Sequence, residues 1–499
     1  MGEPCVIENV CFVGSDKLVD IAVGHGRIAS VRPSERPTDA ASKIWVIPGL
    51  WDCHTHFTQW SYTLGRLDLI DARSAGEALD MLRRHLEERR ESGALDPNQY
   101  VVGMRFRHSL WSDDAQPTLA AIDAVAGDQP VALSSADMHC GWVNSAAARK
   151  LGVDVDESGL VGELEWFDAY CKLDKGPGAA NELMHLLRNA EHDAASKGVV
   201  GVRDYEMAEN IDTWISRFSQ GLDGLRVEAG IYPERLRQAI DDGWHTGDEL
   251  PGSHGLGHVG AMKMISDGSL NTRSAYCSMP YSGIRPETYG TLSYAPEQIE
   301  SYMRLAVEHG FDIACHAIGD EANTIVLDCA ERTHAHGSIE HAQMLKECDI
   351  PRLAQLGLVA SIQPQHAMDD RDVIARFWGT PAGIPYAFNS LHKAGTKLLM
   401  GSDAPVAPLD PWLAISAAVF GTESSDREPF QPEQCLDFET ALASSTAVGR
   451  VALRDADAAD LVLLDCDPSI IDSPEAMRAM PEHVLGTMLA GRWTYQQAE

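Results

Sequence analysis

The residues in this chain that could do chemistry are histidines and carboxylates standing where apolar runs end. Val46-Ile-Pro-Gly-Leu-Trp-Asp-Cys-His-Thr-His-Phe57 reads as an apolar β-strand whose end carries His54 and His56. Strand side chains alternate faces, so residues i and i+2 point the same way, and two imidazoles so placed can hold one metal ion. Four later runs bring further candidates. Residues 261–265 carry Lys263, 312–316 end in His316, 338–341 end in His341, and 397–402 lead into Asp403. Each has an ordinary structural use on its own: a hydrogen-bonded histidine, a turn-forming aspartate, a lysine snorkelling to water. Together they are nitrogen and oxygen donors of the kind that suit zinc or a similar divalent ion.

The elements that must position them are strands of one sheet. Apolar runs at 46–56, 198–204, 225–231, 261–265, 312–316, 338–341, 358–362 and 397–402 alternate with helical segments. Such alternation predicts βα units and a parallel sheet. Eight strands predict a distorted (β/α)8 TIM barrel over residues 50–451, with chemistry at the C-terminal strand ends. His334-Ala-His336 repeats the spacing of His54 and His56 but precedes a strand, so it is read as surface on the opposite face. His254 and His258 are set aside for the same reason. Short strands at 4–48 and 461–495 predict a composite β-sandwich built from residues 1–49 and 452–499, because domain termini tend to lie close together.

The first two barrel strands are too far apart in sequence for one helix. An inserted α/β subdomain is expected at about residues 62–190. Ser74-Ala-Gly-Glu77 is a capping box ahead of Ala78, Leu79, Leu82 and Leu86 on one helix face. A strand at 130–134 leads into Asp137-Met-His-Cys-Gly-Trp-Val-Asn-Ser145. The polar loop 266–290 follows the fourth strand, where it would reach over the site.

Composition narrows the partners. A net charge of −34 on 499 residues repels phosphate backbones and anionic membranes, so neither nucleic acid nor a membrane surface is expected as a partner. Eleven scattered cysteines without a Cys-x-x-Cys read as reduced thiols. The N-terminus shows no signal-peptide pattern and no run approaches the roughly 20 apolar residues of a membrane span, so a cytoplasmic protein is expected.

Several stretches in register resemble the amidohydrolase superfamily, in particular its amidohydrolase-3 or YtcJ-like branch. They are Pro48-Gly-Leu-Trp-Asp-Cys-His-Thr-His56, Ala136-Asp-Met-His-Cys-Gly-Trp-Val-Asn-Ser145, the segment from Lys263 to Tyr281, His316-Ala-Ile-Gly-Asp320, Ile339-Glu-His-Ala-Gln343, Gln363-Pro-Gln-His366 and Gly401-Ser-Asp-Ala-Pro405. The resemblance implies a barrel flanked by a β-sandwich. It implies His54, His56, Lys263, His316, His341 and Asp403 as ligands of one or two divalent ions, most simply zinc, with Lys263 carboxylated. Dimers are common among such proteins, and a homodimer is carried as the oligomer to test. Met138 stands where glycine is usual before His139, and the linker into Asp460 is short.

The chemistry implied is hydrolysis of a C–N bond in an amide, N-substituted formamide or carbamate-like molecule. Asp403 would take the proton of the attacking water and pass it to the leaving nitrogen. His316 or His139 would touch the developing oxyanion, or His139 would instead hold the insertion together. Trp60, Trp142, Trp166, Arg273, Tyr281 and His366 are candidate substrate contacts. Asp267, Asp320 and Glu340 are candidates for orienting the ligands, with Asp320 alternatively a helix cap. Two other functions compete. A deaminase of the same superfamily would commonly carry Glu three residues after the fifth-strand histidine, where this chain has Gly319. A non-catalytic scaffold would tend to have lost ligands, and this chain keeps them.

Overall fold

The computed structural model describes residues 4–34, 43–91, 93, 95–108, 111–112, 115–136, 140–173 and 179–497. The chain forms two compact units. One comprises Met1–Phe57 with Glu191–Glu499, the other Thr58–Ala190. In chain order the strands are β1 (Cys5–Phe12), β2 (Leu18–Gly24), β3 (Arg27–Pro33), β4 (Ile44–Pro48) and β5 (Leu50–Thr55). The Thr58–Ala190 unit holds β6 (Leu67–Asp68), β7 (Val101–Phe106), β8 (Val131–Ser135), β9 (Cys140–Val143) and β10 (Leu160–Gly162). Then come β11 (Val199–Asp204), β12 (Arg226–Ile231), β13 (Gly257–Ile265), β14 (Ile313–Ala317), β15 (Gly337–His341), β16 (Met344–Leu345), β17 (Val359–Ile362), β18 (Ile384–Pro385) and β19 (Lys397–Met400). The last three are β20 (Leu461–Leu464), β21 (Val484–Leu489) and β22 (Arg492–Gln496).

Eight parallel strands form the expected barrel, in the order β5-β11-β12-β13-β14-β15-β17-β19. It closes at its C-terminal end. Thr55 bridges Ala404, the Asp403 N–H donates to the His54 carbonyl (2.7 Å), and the His56 N–H donates to the Ala404 carbonyl (2.8 Å). Gly401 is required at this seam, since a Cβ there would lie 2.6 Å from the His54 nitrogen. The barrel strands are rich in buried Val, Ile, Leu, Met and Ala, as parallel strands covered on both faces are, with Arg203 and Glu228 among the partly buried exceptions.

The run at 46–56 is two strands, not one. It breaks at Gly49, where a Cβ would meet the Val200 side chain at 2.4 Å. β4 pairs with β1 and β20 in the terminal sheet, and β5 starts the barrel. β13 also begins earlier than the apolar run at 261–265. Its first residues pair with β12, and Gly260 there packs too tightly on the Ala229 backbone for a side chain.

Both chain ends build one sheet, ordered β22-β21-β20-β4-β1-β2-β3. It curls on itself: the Ile28 N–H donates to the Asp457 carbonyl, and a Cβ on Gly26 would lie 3.3 Å from the Ala490 carbonyl. Val10, Ile21, Ile28, Val46, Leu461 and Met488 fill its interior.

The Thr58–Ala190 unit is a five-stranded sheet, β10-β9-β8-β7-β6, with helices packed on it. Helix Ala75–Glu91 buries Ala78, Leu79, Leu82 and Leu86. At its start the Ser74 hydroxyl accepts from the Glu77 N–H, while the Glu77 carboxylate accepts from the Arg73 N–H, one residue earlier than a standard capping box. Among the described residues no helix is long and apolar enough to cross a membrane.

Candidate metal centre

His54, on β5, is almost fully buried and its backbone is fixed on both sides. The Asp52 carboxylate accepts from the N–H groups of His54 (3.1 Å) and Ser402 (2.9 Å), tying β5 to the segment after β19. The ring is fixed by Glu340, whose Oε2 lies 2.6 Å from His54 Nδ1, while Ser338 donates to the other carboxylate oxygen. Burial, followed by Lys263, pulls His54 down to about 4, so at neutral pH it is an uncharged imidazole. Its Nδ1–H donates to Glu340 and its Nε2 lone pair faces the barrel axis, 3.1 Å from Lys263 Nζ.

Asp403 enters from the opposite side of the seam. Its Oδ1 lies 3.5 Å from His54 Nε2 and 3.3 Å from His56 Nε2. Burial alone would raise this carboxyl, but His54, His56 and His341 hold it well below the usual carboxylate range. For His56, burial pulls down while the hydrogen bond and charge of Asp403, helped by Glu206, push up more strongly.

His341 ends β15 with a left-handed backbone (φ 70°). That conformation breaks strand alternation, so the neighbours Glu340 and His341 both reach His54, the latter with ring centroids 4.9 Å apart. His316, on β14, packs edge-on against His341 at 4.5 Å. Its Nε2 faces the Gly268 carbonyl (3.3 Å) and Asp267 (3.4 Å). Lys263 is buried, with Nζ 5.0 Å from the Tyr205 ring centroid. Burial lowers its pKa against the pull of Glu340 and Asp403.

The arrangement fits a metal ion. One donor atom each from His54, His341 and Asp403 lies within 4.8 Å of the other two. His56 Nδ1 and His341 Nδ1 are buried without a hydrogen-bond partner among the described residues, an arrangement that is costly unless something binds there.

The other sequence candidates fall into separate groups. His366, at the start of helix Pro364–Phe377, stacks on His341 (5.9 Å) and lies 4.0 Å from Asp403 Oδ2. Asp267 accepts from the N–H groups of Tyr276, Ile318 and Gly319, bracing the loop after β13 beside His316. Asp320 neither orients a ligand nor caps its helix. It is the first helical residue, and its carboxylate accepts from the Ser278 N–H and hydroxyl. Tyr281 spends its hydroxyl on the Ala275 carbonyl (2.9 Å), and Arg273 is exposed with its guanidinium over Phe377. Trp142 and Trp166 are fully buried in the cores of the Thr58–Ala190 unit, and the Trp142 N–H donates to the Thr118 carbonyl. Trp60 is buried in helix Phe57–Thr63. His139 lies outside the described residues. His334 and His336 are exposed ahead of β15, as expected.

Sequence reasoning passes over Asp52, Tyr205 and Asp370. Asp52 stood in plain view as a charge inside an apolar strand. Asp370 is buried and accepts from Asn271, Gln343 and Tyr386, which joins three loops at one end of the barrel.

An eight-stranded parallel barrel that gathers imidazoles and carboxylates at its C-terminal strand ends defines the class, a barrel hydrolase with a candidate metal centre. The chain belongs to the amidohydrolase family, whose sequence model matches residues 40–495. It is 26% identical over 489 residues to the putative amidohydrolase YtcJ of Bacillus subtilis, covering 91% of this chain and 89% of that one. It is 26% identical over 493 residues to the protein LONG AFTER FAR-RED 3 of Arabidopsis thaliana (90% and 82% covered). It is 25% identical over 521 residues to the N-substituted formamide deformylase of Arthrobacter pascens (90% of each). The crystal structure of an uncharacterized metal-dependent hydrolase from Pyrococcus horikoshii OT3 shares the fold, with a TM-score of 0.76 at 22% identity, covering 94% of this chain and 99% of that one.

Proposed function

We propose that the chain is a metal-dependent hydrolase that cleaves a carbon–nitrogen bond in an amide, N-substituted formamide or carbamate-like small molecule. The observation that carries this reading is the convergence of His54, His341 and Asp403 at the mouth of an amidohydrolase-family barrel. The formamide deformylase among the relatives supports the formamide within that class.

The proposed ligands are His54, His56, Lys263, His316, His341 and Asp403, and the proposed ion is zinc, as one or two ions. A divalent ion held there supplies Lewis acidity, bringing the pKa of bound water from 15.7 to about 7 and polarising a carbonyl. Asp403, ionised in this setting, accepts the proton of the attacking water and delivers it to the leaving nitrogen. His316 or His139 donates to the developing oxyanion. His366, beside Asp403, is the substrate contact best supported by its position. Lys263 is proposed as a carbamate: its neutral amine adds to carbon dioxide, forming an N–C bond and releasing one proton. Burial, which favours the neutral amine, supports this. A deaminase is disfavoured, because a Cβ at Gly319 would stand 2.0 Å from the Tyr276 carbonyl, which leaves no room for the glutamate that chemistry would use.

The test joins metal analysis and intact mass, for a 44-Da adduct on Lys263, to a panel of N-formyl, N-acyl, carbamate and lactam compounds. Asp403→Asn should cut kcat by about 10²–10⁴-fold with the fold retained. Near-normal turnover in that variant would remove Asp403 as the base.

A further inference from the structure

The terminal sheet carries a second set of metal-ligating side chains that the barrel chemistry does not use. Asp465 and Cys466 follow β20, and Met480 and His483 precede β21, so the two ends of one connection come together beside paired strands. The Asp465 N–H donates to the His483 carbonyl (3.2 Å). One donor atom each from Asp465, Cys466 and His483 lies within 4.8 Å of the other two. His483 Nδ1 is 2.8 Å from Asp465 Oδ1. Cys466 Sγ is 3.7 Å from Sδ of Met480, which is fully buried.

The sulfur spacing is informative. Metal–sulfur bonds of about 2.3 Å at a tetrahedral angle set two sulfurs about 3.8 Å apart. The Asp465–His483 contact alone is an ordinary surface pair, with side chains 48% and 41% exposed. Such a pair has no need of a thiol within ligand distance, nor the thiol of a buried thioether. Carboxylate, thiolate, thioether and imidazole together are a donor set for a thiophilic ion.

We propose that Asp465, Cys466, Met480 and His483 bind one thiophilic metal ion, Zn²⁺ or Cu⁺, at a site separate from the barrel. Cys466 binds as thiolate: its S–H bond breaks, a sulfur–metal bond forms, and the proton passes to solvent. The ion clamps both ends of the connection between β20 and β21, so its binding raises the melting temperature of the terminal sheet.

The test titrates the enzyme, already loaded at the barrel, with Co²⁺ as the zinc probe and, anaerobically, with Cu⁺ against a chromogenic chelator. One further equivalent of Co²⁺ is expected, with near-ultraviolet thiolate-to-cobalt absorption, because the proposed barrel donors contain no sulfur. Cys466→Ser should abolish that band, and His483→Ala should weaken binding at least tenfold. Both should keep wild-type hydrolysis and melting in the absence of added metal. Met480→Leu separates the ions: a tenfold loss confined to Cu⁺ marks copper as the ion, a comparable loss of Co²⁺ binding marks zinc, and no loss with either removes Met480 and overturns the four-ligand site. Absence of both the cobalt band and Cu⁺ capture in the wild type, or their persistence in Cys466→Ser, overturns the proposal. If Cys466→Ser fails to fold, Cys466→Ala carries the same comparison.

Discussion

Glu340→Gln isolates what the buried carboxylate does for the centre. Glu340 is fully buried and makes two side-chain contacts, accepting from His54 Nδ1 at 2.6 Å and from the Ser338 hydroxyl. Burial opposes its ionisation, yet His54, Lys263 and Ser338 hold it at about 2. His54 is itself held at about 4, so at neutral pH the pair is not an ion pair but a neutral imidazole donating to a carboxylate. That hydrogen bond fixes the tautomer and keeps the Nε2 lone pair on the barrel axis. Glutamine keeps the shape and removes the charge. Loss of such an orienting partner typically costs 10–100-fold in metal affinity, about 1.4–2.8 kcal/mol. Chelator competition for Zn²⁺ should show that loss in Glu340→Gln, with kcat at saturating metal falling less. Glu340→Ala should do worse, because the His54 N–H is then buried without an acceptor, a further cost of about 1–3 kcal/mol. If Glu340→Gln binds zinc within twofold of wild type while His341→Ala loses it, the carboxylate does not orient His54 and the reasoning fails.

Two further outcomes follow from the fold. Gly401→Ala should lower the melting temperature by several degrees and weaken metal binding together, because its Cβ would stand 2.6 Å from the His54 backbone nitrogen; unchanged thermal and metal titrations would show the seam is softer than its geometry. Asp410 caps helix Pro411–Phe420, and burial, resisted by Lys197, raises its carboxyl to about 6. A raised acid contributes stability below its unfolded value near 3.8 and loses it as pH rises through about 6. Denaturation should therefore show Asp410→Asn gaining on wild type by up to about 3 kcal/mol between pH 4 and pH 7, and a pH-independent difference would contradict the shift.

The barrel was legible because its strands are continuous apolar runs ended by polar residues, a pattern that burial on both faces imposes. The chain order of the donors was legible for the same reason, since each candidate closes a run. What the pattern could not carry was backbone geometry. The break at Gly49 is invisible in the apolar run from Val46 to Cys53, because both halves are buried, one in each sheet. The positive φ of His341 lets adjacent residues share a target, which strand alternation forbids. Aromatic residues misled for a different reason. Trp142 sits inside a resemblance motif and Trp166 within the expected insertion, yet each fills a core. Tyr281 looked like a ligand contact, and its hydroxyl is consumed within its own loop.

The seam between β5 and β19 binds the fold and the site into one object. The rungs that close the barrel are donated by Asp403 and His56 and accepted by His54 and Ala404, so three of the candidate ligands are also the closing residues. Asp403 takes a left-handed backbone (φ 59°) to do this, a conformation that costs a non-glycine residue about 1–3 kcal/mol. Asp52 offsets part of that cost by accepting from both sides of the seam, and burial raises its carboxyl to about 7, so near neutral pH the brace itself is poised between charged and neutral forms. A strained, partly neutralised closure is a poor way to stabilise a barrel and a good way to point three side chains at one spot. An ion held by those three side chains would tie the seam together from the inside. Metal binding and barrel closure should therefore be one linked equilibrium, in which each strengthens the other by the same free energy.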